Sequence, residues 1–191
     1  ITAKKLLPWF LTLAMALLFC AALPTAVKAD TNICEIVAAD GTTVLNQYTD
    51  FSMALTAVTD GQTIRLLADI GYGNKIVLNS KSFNIDVNGH ILTVNPTGDT
   101  CITATSGFDL LVKDKSGGGA LHLTTAGTNA CGIYATGSGS TVTVETATAI
   151  TITDSDSACG LQANQSASIT LTKATTIDLS GGPGVGVSAL N

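Results

Sequence analysis

The sequence predicts an all-β chain: a right-handed parallel β-helix, or solenoid, with three strands per coil and a short N-terminal capping helix. Three observations carry this. Charged residues make up only 12% of the 191 and aromatics 5%, with 19 glycines, a composition that favours Thr-, Val- and Ile-rich strands over helices. A block of five residues recurs at near-constant spacing. Short runs with period-two alternation, separated by Gly-, Ser-, Asn- and Asp-rich turns, fill the space between the blocks.

The N-terminus comes first and stands apart. Lys4 and Lys5 precede a run from Leu6 to Leu23 that is apolar except for Pro8 and Thr12. Pro24 ends any helix, and Val27 and Ala29 stand at the −3 and −1 positions of a cleavage site after Ala29. Residues 1–29 therefore read as a secretory signal peptide. The rival reading is an uncleaved anchor, because the run is near the lower limit for crossing a bilayer. Cys20 as a lipidation site is disfavoured by Phe19, where a small residue is wanted.

Residues 30–70 read as a lead-in strand, a capping helix and a first strand. The lead-in, through residue 47, is irregular with one short strand, Cys34 to Ala38. Phe51, Ala54, Leu55 and Val58 then fall at i, i+3, i+4 and i+7, one face of a helix. Asp50 is its N-cap and Asp60-Gly61 its end. Such a helix covers the open end of a solenoid, where apolar interior and unpaired strand edges meet water. Thr63 to Leu67 reads as a strand with Ile64 and Leu66 on one side.

Residues 71–191 read as coils, truncated at the C-terminus. Cys131-Gly132-Ile133-Tyr134-Ala135 recurs as Cys159-Gly160-Leu161-Gln162-Ala163 and fades into Val185-Gly186-Val187-Ser188-Ala189. Cys101-Ile102-Thr103-Ala104 precedes them. The block starts, at 101, 131, 159 and 185, lie 30, 28 and 26 residues apart. Two further runs follow each block: Asp109–Val112 and Leu121–Thr124, then Thr141–Val144 and Ile150–Thr153, then Ser168–Leu171 and Ile177–Ser180. An earlier, diverged unit supplies Lys75–Leu78, Phe83–Asp86 and Leu92–Asn95. An antiparallel sandwich would also alternate, but would not place the Cys-Gly block at constant phase.

Candidate chemistry is sparse. Cys101, Cys131 and Cys159 share one phase, and Gly132, Gly160 and Gly186 follow at the next position. These are structural residues, the thiols forming a buried ladder; a disulfide or thiolate metal site is the sharper alternative. The state of Cys34 is left open. Asp154 and Asp156 are weak Ca²⁺ candidates in one turn, with Asp99 in the equivalent turn of an earlier coil; Asx-turns are the simpler role. His90 and His122 have no partner that the sequence places beside them. The third-strand pairs His122/Thr124, Thr151/Thr153 and Asp178/Ser180 form a broken row, which argues against ice binding. No cofactor and no catalytic residue is assigned.

Charge narrows the partners. Without Lys4, Lys5 and Lys28, 6 basic and 14 acidic residues remain, a net charge of −8. Such a surface repels nucleic acid and gives no electrostatic pull toward anionic polymers such as pectate or teichoic acid. Neutral glycans, cations and host or cell-surface proteins remain as partners, and membrane contact is confined to the export signal.

The segment Asp50 to Leu67, followed by Phe83-Asn84-Ile85-Asp86-Val87-Asn88-Gly89-His90-Ile91-Leu92-Thr93-Val94, resembles the N-terminal coils of pectate-lyase-like β-helix domains in Gram-positive surface proteins. The likeness covers residues 48–95. It implies a secreted or cell-wall-associated module, non-enzymatic, serving as adhesin, stalk or glycan- or protein-binding scaffold. The alternative it implies is the N-terminal portion of a polysaccharide lyase with its active site in other coils. Lyases of that kind set an Arg or Lys base near an Asp cluster. The one Arg of the segment after residue 29, Arg65, reads as lying before the regular coils, and no Lys aligns beside the Asp residues above.

Overall fold

In the computed structural model, residues 31–153 and 156–190 are described. The signal-peptide segment, residues 1–29, lies outside the described residues, as does Asp154. The chain opens with β1 (Cys34–Val37), β2 (Val44–Tyr48) and α1 (Phe51–Ala57). Fifteen strands follow in five tiers of three. The first tier is β3 (Thr63–Leu66), β4 (Ile70–Tyr72) and β5 (Ile76–Leu78). The second is β6 (Phe83–Asp86), β7 (Ile91–Val94) and β8 (Ile102–Thr105). The third is β9 (Asp109–Lys113), β10 (Ala120–Ala126) and β11 (Cys131–Thr136). The fourth is β12 (Thr141–Val144), β13 (Ala147–Thr153) and β14 (Cys159–Asn164). The fifth is β15 (Ser168–Leu171), β16 (Thr175–Leu179) and β17 (Val185–Leu190).

Each strand pairs in parallel with its equivalent one tier away. Sheet A runs β15-β12-β9-β6-β3, sheet B β16-β13-β10-β7-β4, and sheet C β17-β14-β11-β8-β5. This is the expected β-solenoid. Its interior follows from the alternation: Ile64, Ile85, Val112 and Val144 from sheet A meet Leu92, Leu123 and Ile152 from sheet B and Ile102, Ile133 and Ala135 from sheet C, all fully buried. Each large apolar side chain contributes about 1.5–3 kcal/mol by leaving water, but only because its tier lies against another.

The N-terminal end is closed by more than a helix. The lead-in holds a second strand, β2, which the sequence reading missed. It forms an antiparallel hairpin with β1, and β1 lies antiparallel on β3. β1 is wholly buried, whereas β2 is the exposed edge. α1 has the expected cap: the Asp50 carboxylate accepts from the N–H groups of Ser52 and Met53. Phe51, Ala54 and Val58 are buried, and Phe51 meets Tyr72 edge-on at 5.3 Å between ring centres. At the other end of α1, Lys81 Nζ donates to the carbonyls of Leu55 (2.7 Å), Thr56 (3.0 Å) and Val58 (2.8 Å). These are orphan carbonyls of a helix C-terminus, and a cation is the favourable partner there.

Sheet B corrects one expected register. β10 sits two residues from the assumed alignment on β13: His122 pairs with Ala149 and Thr124 with Thr151, whereas Thr151 pairs with Asp178 as expected. In this pairing Thr125 and Thr148 take interior positions despite their hydroxyls. Thr125 Oγ1 donates to the carbonyls of Pro96 and Asp99, and Thr148 Oγ1 to that of Thr146. A buried hydroxyl is tolerated once it is hydrogen-bonded. The outward Thr row stays broken.

Candidate functional site

The Cys block stacks as expected. Cys131 pairs in register with Cys159, and Cys159 with Val185. The Cys101 N–H donates to the Cys131 carbonyl at 2.9 Å. All three thiols are buried and free, as is Cys34. Cys131 Sγ donates to Gln162 Oε1 at 3.4 Å and Cys159 Sγ to the Leu161 carbonyl at 2.9 Å. Burial pushes the thiols up: Cys101 to about 12, Cys131 and Cys34 to about 11. These are packing thiols held neutral, the opposite of an activated nucleophile.

The glycines after the thiols explain the block. A Cβ on Gly132 would lie 2.5 Å from Ile150 Cγ2 and 2.6 Å from the Gly160 carbonyl oxygen. One on Gly160 would lie 2.5 Å from both Ile177 Cγ2 and the Gly186 oxygen. The sheet B isoleucine of the following tier, Ile150 or Ile177, therefore occupies the space a side chain would need. Gly186 meets nothing within 4 Å.

Of the weak Ca²⁺ candidates, Asp156 is described and lies against Gly182, its Oδ1 in the space a Cβ there would need. Among the described residues no three His, Cys, Asp or Glu side chains come close enough to hold a metal ion. Two expectations about isolation fail. Asp99 does have a basic neighbour, Lys75 Nζ at 2.8 Å from its Oδ2; the two lie 24 residues apart in sequence, and the tier stacking brings them together. His90 Nδ1 stands 3.5 Å from Asp69 Oδ1. Arg65 does not precede the stack but lies in β3, the first strand of sheet A. Its guanidinium is bound to Glu35 of β1 through Nε and Nη2.

That ion pair begins a feature the sequence reading did not find. Across the outer face of sheet A, Glu35 pairs with Arg65, Arg65 with Asp86, and Asp86 with Lys113. Glu145, one residue beyond β12, continues the row beside Lys113, its N–H donating to the Val112 carbonyl at 2.7 Å. Signs alternate at each strand, about 4.8 Å apart, and unlike charges on directly opposed residues stabilise that pairing.

A groove of about 530 Å³ lies over this row. Arg65, Lys113, Lys115 and Lys173 line it, four of the six basic residues in 31–190. Three carboxylates also line it: Asp86, Asp114 and Glu145. Two of these are engaged by the backbone. Asp86 Oδ1 accepts from the N–H groups of Asn88 and Lys115, both at 3.1 Å. Asp114 Oδ1 accepts from Gly89 (2.8 Å) and Gly117 (3.0 Å), and its Oδ2 from Gly119 (2.7 Å). Asp114 thus ties the Asn88-Gly89 turn of one tier to the glycine turn of the next. Among the described residues, Lys113, Lys115, Lys173 and Glu145 make no ion pair. The groove therefore presents three unengaged ammonium groups and one unengaged carboxylate at and just beyond the ends of β9, β12 and β15.

No family model, curated protein or solved structure matches the chain. The groove must be interpreted from its own chemistry.

Proposed function

We propose that the chain is a non-enzymatic module of a secreted or wall-associated surface protein, a stiff spacer whose sheet A face carries a ligand groove. The observation that carries this reading is the groove itself. Of its unengaged side chains Lys113 ends β9, and Glu145, Lys115 and Lys173 lie within two residues of a strand end, so the backbone carrying them is already ordered when a ligand meets them. The export signal, the long polar strand faces and the likeness of residues 48–95 to Gram-positive surface β-helices support the placement outside the cell.

The lyase alternative has one feature in its favour, the basic side chains beside Asp86. Elimination at a uronate needs a base free to take the proton α to the carboxylate. Arg65 is held by Glu35, which leaves only the groove lysines as candidate bases, and Asp86 Oδ1 already accepts from two backbone N–H groups; among the described residues no three carboxylates come together to hold the Ca²⁺ such a lyase uses. Two measurements test the proposal. Incubation with polygalacturonate and Ca²⁺ should release no unsaturated uronate; a metal-dependent rise in that product overturns the non-enzymatic reading. The purified chain should co-sediment with isolated Gram-positive cell walls, and a chain that stays in the supernatant refutes the wall-surface role.

A further inference from the structure

We infer that the sheet A groove binds a phosphodiester-linked polyol or sugar polymer through Lys113, Lys115 and Lys173. The inference rests on the surface reading above for where the ligand is met, and on the groove alone for what the ligand is.

The chain is acidic overall, yet its cations are gathered. Lys113 ends β9, Lys115 follows it in the turn, and Lys173 lies just beyond β15, two tiers further along the stack. An extended chain laid across the strands would meet all three. Near the surface a charge acts over the Debye length of about 8–10 Å, so the groove's own groups decide: Asp86 and Asp114 are turned onto backbone N–H groups, and Glu145 alone is left unengaged beside the three ammoniums.

The type of cation narrows the anion. Arg pairs carboxylates through its planar fork, and Arg65 is taken by Glu35. The three free groups are all ammoniums, compact charges with rotatable donors that suit phosphate oxygens pointing in several directions. The groove lining includes no aromatic ring, so it offers no platform for stacked bases and disfavours single-stranded nucleic acid. Glu145 repels a continuous line of anions but accepts hydrogen bonds from hydroxyls. Spaced phosphates with hydroxyl-bearing units between them satisfy both signs.

The test uses the whole chain and a glycerol-phosphate polymer as probe, with polygalacturonate and oligo(dT) for comparison, by titration calorimetry. The glycerol-phosphate polymer should bind, and should weaken roughly tenfold between about 50 and about 200 mM NaCl. The K113Q/K115Q/K173Q variant should lose about tenfold or more in affinity, while K75Q, outside the groove, should bind as the parent does. Equal loss in K75Q would assign the effect to net charge and overturn the inference. Equal or tighter binding of polygalacturonate or oligo(dT) would also overturn it. Lys113 is half-buried, so a misfolded triple variant is replaced by K115Q/K173Q, both exposed. Walls treated with hydrofluoric acid, which cleaves phosphodiesters, separate the two readings. Undiminished co-sedimentation after that treatment leaves the wall module standing and sinks the phosphodiester; loss only after it supports both.

Discussion

A methyl group at Gly132 has nowhere to go. It would meet a side chain that could in principle turn, Ile150, and a backbone oxygen that cannot move without its tier, that of Gly160. Overpacking against backbone lies at the upper end of the usual range, so G132A should lose about 2–3 kcal/mol in urea denaturation. G186A should change stability by less than about 0.5 kcal/mol, because its Cβ meets nothing. Equal losses at both positions would show that the block is conserved in phase for some reason other than this contact. The neighbouring thiols set a pH limit. Burial holds Cys101 protonated to about pH 12, whereas the unfolded thiol ionises near its ordinary value of 9.0. Above that ordinary value the unfolded state releases a proton that the folded state keeps. Stability is therefore full below pH 9.0 and falls as pH rises toward 12. Alkylation at pH 8 should leave all the thiols of the solenoid unmodified until denaturant is added; labelling of the native chain at Cys101 would contradict the burial.

At the scale of elements, α1 shows how one short helix is held from both ends. Its seven residues are too few to persist alone. Hydrogen bonds from the hydroxyl and N–H of Ser52 and the N–H of Met53 hold the Asp50 carboxyl below its ordinary value of 3.8. The cap's contribution is present above that value and is lost as pH falls through the lower folded value. Lys81 secures the far end, and K81M should cost about 2 kcal/mol by stripping three carbonyls of a charged donor. Unchanged thermal denaturation of that variant would mean water replaces the ammonium at no cost. The helix and its cap were legible because a 3.6-residue apolar face and an N-cap are local signals. β2 was not: four of its five residues are exposed, so no alternation marks it. β4 is three residues long with a glycine at its centre. The groove was illegible for a different reason. Its lysines belong to strands and turns separated by up to 60 residues in sequence, from Lys113 to Lys173, and a net charge of −8 says nothing about where the six bases gather.

For the whole molecule, the phase of the Cys-Gly block was enough to predict the parallel stack, because identical tiers can bury a common interior only when in register. The two-residue slip of β10 on β13 marks where that logic fails: alternation fixes which face points inward, not which inward residue stacks on which. Stability in such a stack is a sum of tier terms and nearest-neighbour interfaces. The tiers are not equivalent here. β3 is covered by β1, and β1 by β2 and α1, and the first-tier residues Ile64, Leu66, Ile70, Ile76 and Leu78 are all buried. In the last tier the inward residues Ile169, Leu171, Ile177 and Leu179 are only partly buried, and Val185, Val187 and Leu190 are exposed. Each loses part of the roughly 1.5–3 kcal/mol that full burial gives, so in the 191-residue polypeptide, with no further coil laid over the fifth tier, opening should begin at β15–β17 and travel inward. Native-state hydrogen exchange tests this directly. Amides of β6, β9 and β11 should exchange with the largest opening free energies, those of β12–β14 with intermediate ones, and those of β15–β17 with the smallest. V142D, which places a charge in the fully buried interior of the fourth tier, should release the fourth and fifth tiers while β6 and β7 stay protected. A single free energy shared by every strand, or loss of all protection in V142D, would show that the solenoid opens as one unit and that its tiers have no separate stability.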